Sequence, residues 1–172
     1  MFDLDEQLAL ARFDMEQNRP EQALAKLKSL LNETPVPPAA LSLCGRLYAQ
    51  LGLFERAQGL FERFVALNPT ALDEAFQLGM VTFDLGDVEG ALRAWDALLE
   101  RAPVYPPALF YSALALARLG RLVDAQRNLN ILLQAIPNDN LYFERGRELL
   151  AKVEGDLNQG AGSKETPYLQ TN

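Results

Sequence analysis

The sequence contains no histidine and a single cysteine, Cys44, among its 172 residues. Without histidine, the chain lacks the commonest metal ligand and the commonest general base. One cysteine can form neither an internal disulfide nor the thiolate cluster of a zinc site. These two shortages argue against a disulfide-stabilised secreted domain and against a zinc protein, and we expect no metal and no cofactor.

Positive charge and long apolar runs are also scarce. Lys and Arg number 16 against 23 Asp and Glu, so the net charge is 16 − 23 = −7. Like-charge repulsion therefore makes nucleic acid and anionic membranes poor partners. No apolar run approaches the roughly 20 residues of a membrane span, and the first residues are acidic where a signal peptide is basic and then apolar. We therefore expect a cytoplasmic protein that does not bind nucleic acid and does not insert into a membrane.

The most informative feature is an internal repeat with a period of 34 residues, a type of signal that decides the whole fold. The units span about 4–37, 38–71, 72–105 and 106–139. Three columns of residues keep this spacing: proline at Pro35, Pro69, Pro103 and Pro137; alanine at Ala23, Ala57, Ala91 and Ala125; and glycine at Gly52, Gly86 and Gly120, with Asn18 in that place of the first unit.

Each unit is predicted to form two helices. In the third unit these are Leu72 to Leu85 and Val88 to Arg101, separated by Gly86 and Asp87. The glycine column suits a residue with positive φ just after a helix, and the proline column ends the second helix. Small alanines allow the two helices to approach closely, and a bulky residue four positions later fills the space between them: Leu27, Phe61, Trp95 and Leu129.

This order of residues resembles the tetratricopeptide repeat. The second unit carries it best, with Gly45, Tyr48, Gly52, Ala57, Phe61 and Pro69, and the third unit matches with Leu78, Gly79, Gly86, Ala91, Trp95 and Pro103. Unit one departs at Asp14 and unit four at Leu116, where the pattern has an aromatic residue. The resemblance covers about residues 4–139. It implies an all-α, right-handed superhelical solenoid of four helical hairpins with a concave inner face, and it implies a protein that binds other proteins.

After the fourth unit, residues 140–154 are predicted to form a helix that caps the apolar end of the last hairpin, with Gly155 closing it. The repeat domain would then comprise residues 1–154. Residues 155–172 are polar and contain several Gly and Pro residues, so we expect a disordered C-terminal tail. Within it, Tyr168 and Leu169 are either a short docking element or part of a plain solvated tail.

No constellation in the sequence predicts catalysis. Cys44 shares its column with Leu10, Leu78 and Ser112, which indicates a core position. Carboxylates such as Asp14 are expected to be ordinary solvated helix charges, and the glycines fall at the repeat period rather than in a phosphate-binding loop. We therefore expect no enzyme.

The first helix of each unit carries a second apolar stripe, which in unit three is Phe76, Met80 and Phe83. Two stripes imply burial on both sides or an exposed binding face. In the family that the chain resembles, these columns point into the concave groove. The predicted groove is apolar in units three and four and has three cationic points. Its residues are Phe76, Met80, Phe83, Phe110 and Leu114, with Arg12, Arg46 and Arg118 as the cations. The alternative is that neighbouring helices cover this stripe as ordinary packing.

The resemblance does not extend to the clamp by which some tetratricopeptide co-chaperones grip the C-terminal carboxylate of heat-shock chaperones. The corresponding positions of units one to three hold Leu8, Arg12, Leu43, Asp73 and Gln77. This set cannot supply the convergent cations that a carboxylate needs, so that activity is not expected.

The leading prediction is a scaffold or adaptor that binds a helical or extended segment of another protein in the concave groove. One alternative is a small acidic chaperone for a secreted or membrane-associated client, which fits the net charge of −7. The other is a structural subunit whose convex face makes the contact.

Overall fold

A computed structural model describes the backbone of residues 3–162, and within that range the chain forms nine α-helices and no strand. The helices occur in pairs along the repeat, and the last is the longest. Their bounds are α1 Leu4–Glu16, α2 Pro20–Leu31, α3 Pro38–Gln50, α4 Phe54–Leu67, α5 Leu72–Asp84, α6 Val88–Arg101, α7 Pro106–Arg118, α8 Leu122–Ala135 and α9 Leu141–Gly162.

The chain divides into two compact units, Met1–Ala94 and Trp95–Asn172, and α6 crosses the boundary between them. In the first unit each helix from α1 to α5 packs against the next, and α3 also contacts both α1 and α5. In the second unit α8 packs against α7 and α9, and α7 contacts α9. First helices therefore touch first helices within each unit, and the predicted all-α hairpin repeat is confirmed.

The turns between paired helices have the backbone conformation that the glycine column predicts. Residues in this column have φ between 55° and 88°, a left-handed region that glycine and asparagine tolerate. Asn18 in the first unit adopts it as the glycines do, which explains why it can take their place. The φ angles are 55° for Asn18, 70° for Gly52, 88° for Gly86 and 73° for Gly120.

The residues of the alanine column and of the bulky column are fully buried. All four alanines and all four bulky residues have a relative exposure of 0%. In the second hairpin, an added Cβ at Gly45 would lie 3.0 Å from the Phe61 ring, so glycine at this position allows α3 to lie against that ring. Close packing of this kind makes even one additional methylene costly.

Helix α1 carries a buried carboxylate that the sequence analysis placed at the surface. Asp14 is only 5% exposed and pairs with the ammonium group of Lys26 on α2. It occupies the column that holds Tyr48 in the next unit. The prediction of a solvated charge is wrong because the column is internal, and the cation from α2 compensates for the burial.

Helix α9 extends eight residues beyond the predicted end at residue 154, so the prediction that Gly155 terminates the helix is wrong. Leu157 is half-buried four residues after the buried Val153, so the apolar stripe continues past the glycine. This burial offsets the roughly 1 kcal/mol that an internal glycine costs a helix. The rest of the predicted tail, 163–172, lies outside the described residues.

Replacing Ala57 with Leu is expected to lower the free energy of unfolding by about 1–3 kcal/mol because it overpacks a fully buried site. The matched control is Ala66→Leu, at an exposed position of the same helix, where a change of about 0.5 kcal/mol or less is expected. Urea unfolding measures both, and equal midpoints for the two variants would contradict the close contact at Ala57.

The length of α9 is tested by Gly155→Ala, which is expected to stabilise the protein by about 0.4–1 kcal/mol. An added Cβ at this position meets no atom within 4 Å, so the substitution only reduces the freedom of the unfolded chain. Gly52→Ala has the same free space but a φ of 70°, and it should destabilise. Thermal melting that shows both variants shifted in the same direction would refute this account.

Candidate functional site

The first unit contains an open cavity of about 530 Å³ beside the first helices α1, α3 and α5. It combines apolar side chains with two arginines and one carboxylate, and it brings together the two cationic positions Arg12 and Arg46 of the predicted groove. The lining residues are Arg12, Pro38, Ala39, Ser42, Leu43, Arg46, Phe64 and Glu74.

A polar cluster between α3 and α5 forms one wall of this cavity. Glu74 Oε1 accepts a hydrogen bond from Ser42 Oγ at 2.7 Å and another from Arg46 Nη2 at 3.1 Å. The side chain of Glu74 is 15% exposed, so the ion pair is partly shielded from water. Arg46 is therefore held by a carboxylate of its own chain and its charge is balanced locally.

Arg12 differs from Arg46 because it is exposed and, among residues 3–162, makes no hydrogen bond or ion pair. It also lines a second cavity of about 270 Å³ with Met15, Glu16, Leu43 and Gln50. Arg12 and Leu43 are common to both cavities. This place therefore offers an exposed cation beside an apolar side chain, with Glu16 in the second cavity.

The second unit contains a corresponding cavity of about 260 Å³ between α7 and α9, which we call the α7–α9 groove. Two predicted groove residues, Phe110 and Leu114, line it from α7. Helix α9 contributes Arg145, Glu148, Leu149 and Lys152. These four positions follow the spacing i, i+3, i+4 and i+7, which places them on one face of the helix.

Phe110 lies in an aromatic cluster rather than at an open surface. Its ring is 5.3 Å from that of Tyr111 and 5.5 Å from that of Tyr142, and Arg145 Cζ lies 4.7 Å from its centroid. Burial, and then the neighbouring Tyr111, raise the pKa of the Tyr142 phenol above its ordinary value, while Arg145 acts in the opposite direction. The phenol therefore stays neutral at physiological pH.

Phe76 and Phe110 are largely buried, with relative exposures of 7% and 5%, and their role as binding anchors stays a prediction. The alternative of ordinary packing therefore applies to much of both side chains, as α9 residues cover the Phe110 ring. Met80 and Phe83 are half-buried on α5, and Arg118 is exposed at the end of α7. The predicted set is thus divided among α5, two separate cavities and the end of α7.

Sequence reasoning missed several lining residues. The residues that share the column of Ser42 are apolar, so the column does not predict a polar contact there. Glu74 is not predicted because its contact with α3 joins two repeats. For α9 a signal was present: adding the period of 34 to Leu114 gives Glu148, so α9 continues the columns of the first helices.

Cys44 is fully buried, as its column predicts. Burial raises the pKa of the Cys44 thiol to about 11, although Lys28 and the Tyr48 hydroxyl act to lower it. The thiol is therefore protonated at neutral pH and is a weak nucleophile. The described part of the chain holds no group of three or more acidic or cysteine side chains arranged to bind a metal ion.

Two models of the tetratricopeptide repeat match the chain, one over residues 14–78 and the other over residues 76–140. Together they span most of the 172 residues. Among residues 3–162, no helix has the length and apolar character needed to cross a membrane.

Solved structures of tetratricopeptide proteins have a similar fold. A tetratricopeptide repeat protein from Parabacteroides merdae is 18% identical with a TM-score of 0.78, and the match covers 90% of this chain but 61% of that one. A thermophilic tetratricopeptide protein from Thermus thermophilus is 24% identical with a TM-score of 0.67, over 90% of this chain and 83% of that one. MamA from Desulfovibrio magneticus, residues 41 to the end, is 20% identical with a TM-score of 0.72, and the match covers 94% of this chain and 97% of that one. At these identities the likeness shows the fold alone.

The burial of Phe110 leads to a direct test of its role. Phe110→Ala is expected to lower the free energy of unfolding by about 3–5 kcal/mol, because the ring is surrounded by Tyr111, Tyr142 and Arg145. The half-buried Leu114 on the same helix provides the comparison, and Leu114→Ala should cost clearly less. If urea unfolding gave Phe110→Ala a free energy of unfolding close to that of wild type, the result would favour Phe110 as a residue of an open groove.

Proposed function

Because this chain belongs to the tetratricopeptide repeat family, we propose that it is a non-catalytic adaptor that binds a helical or extended segment of a partner protein. The family and the fold support a protein-interaction scaffold in general. The proposal adds that the partner docks on the first helices of the repeats and that the protein acts in the cytoplasm. A buried, unpaired cysteine supports that location.

The observation that carries the proposal is the cavity of about 530 Å³ in the first unit. Leu43 and Phe64 provide apolar surface, and Arg12 provides an exposed cation. A cation beside apolar side chains suits a segment that carries an apolar anchor next to a carboxylate. Binding energy in such interfaces comes from a few central anchors rather than from the whole contact area.

Shape and charge have separate roles in this cavity. Glu74 already balances Arg46 and holds it in place, so the pair sets the form of one wall. The exposed Arg12 remains available to a partner carboxylate, and such rim charges affect specificity and association rate more than affinity. The partner should therefore be an acidic, partly apolar segment.

The test is affinity purification at native expression, followed by mass spectrometry, with the double variant Arg12→Glu/Leu43→Glu. It should reduce the recovered partner by about tenfold or more, because it reverses the cation and places a charge on the apolar surface. The matched control is Arg63→Glu/Ala66→Glu, which makes the same change in charge at exposed positions of α4.

Thermal melting of both variants establishes that they fold. Equal recovery from a folded Arg12→Glu/Leu43→Glu variant would contradict the proposal. Loss of binding in the α4 control alone would instead favour the structural-subunit alternative, and a partner that becomes insoluble without this protein would favour the chaperone alternative.

A further inference from the structure

The α7–α9 groove differs from the cavities of the first unit because one of its walls is the helix that leads directly to the end of the described chain. Phe110, Leu114 and Leu149 give it an apolar lining, and Arg145 and Lys152 place two cations against one carboxylate. In a chain with a net charge of −7, this is a locally cationic and apolar surface.

A second cavity, of about 440 Å³, lies beside the same helix nearer to its C-terminal end. Its lining is mostly polar, with Gln126, Glu154 and Asn158 beside Leu157. Gln126 Nε2 donates a hydrogen bond to Glu154 at 3.2 Å. The α9 residues that line this polar cavity lie on the opposite face of the helix from those that line the α7–α9 groove, so a segment that returned along the groove face would not cross it.

The sequence that follows α9 contains a cluster of apolar side chains at one place, Pro167, Tyr168 and Leu169. We propose that the α7–α9 groove binds Tyr168 and Leu169 of the same chain, and that segment 163–172 thereby occupies the groove until a partner displaces it. The displacement rests on the proposed function, whereas the contact within the chain does not.

The distances along the chain permit this contact. From Lys152 to Gly162 the helix advances about 15 Å, and the six residues 163–168 reach up to about 20 Å when extended. Gly160 and Gly162 are the last glycines of α9, and glycine permits the backbone angles that a reversal after the helix would need. A returning segment therefore brings Tyr168 level with the turn of α9 that contains Leu149 and Lys152.

The chemistry of the segment matches the groove at that level. A tyrosine ring suits the cation Lys152, and Leu169 suits the apolar surface of Leu114 and Leu149. Glu165 falls within about one helical turn of Lys152 on the same path. The polar cavity near the helix end offers neither a cation nor more than one apolar side chain.

A weak site is sufficient for this contact. A polar segment of ten residues cannot form a core of its own, but a short tether gives it an effective concentration in the millimolar range at the groove. A partner from solution must compete with that concentration, so its apparent affinity for the groove is lowered.

The experiment uses the full chain and a labelled synthetic peptide of residues 163–172. Fluorescence anisotropy compares peptide binding to wild type and to the variant Tyr168→Ser/Leu169→Ser. The variant should bind the peptide about tenfold more tightly than wild type, because the groove of the wild type is occupied by its own segment.

Controls identify the groove. In the Tyr168→Ser/Leu169→Ser background, Leu114→Glu should weaken peptide binding by about tenfold or more, whereas Ile131→Glu, at an exposed position of α8, should leave it unchanged. If Leu114→Glu fails to fold, Lys152→Glu, at an exposed position of the groove, is the second variant, with the same expected loss.

Equal peptide affinity for wild type and the Tyr168→Ser/Leu169→Ser variant would overturn the inference. So would peptide binding that is insensitive to both groove variants, which would place the segment elsewhere, including the polar cavity beside α8. Because these measurements need no partner, a negative result leaves the first-unit test with Arg12→Glu/Leu43→Glu unaffected, and the two proposals fail separately.

Discussion

The complete burial of one alanine and one bulky residue in every repeat is the constraint on which the rest of the structure depends. The alanine column and the bulky column are fully buried in all four repeats, and Gly45 lies against the Phe61 ring. Other faces of the first helices contact one another in the first unit, where α3 touches α1 and α5. The cavities of both units lie beside these helices.

The fold was predictable because it depends on features that recur in the sequence at one period. Positive φ at Gly86 and at Asn18 and the burial of Trp95 follow from their columns. The end of α9 was not predictable from Gly155, since a single glycine is a weak stop signal and Leu157 extends the buried stripe. Composition alone does not show at which residue the apolar contacts of a capping helix end.

The candidate site was predictable only in part, because its chemistry depends on contacts between repeats. Four residues of the predicted groove line cavities, namely Arg12, Arg46, Phe110 and Leu114, and their role in binding a partner stays a prediction. The columns could not show that Glu74 neutralises Arg46 or that Tyr142 and Arg145 cover Phe110. Each of these depends on side chains from two helices that are distant in sequence, so a column that is apolar in one repeat says little about exposure in another.

The central claim is that a partner docks beside the first helices, at the cavity that contains Arg12 and Leu43. The most direct measurement places a photo-crosslinking amino acid at position 43, and in a separate variant at position 63 on the exposed face of α4, and compares the crosslinked products in cells. The account predicts a discrete crosslinked partner from position 43 and none from position 63. A partner captured from position 63 and not from position 43 would contradict it.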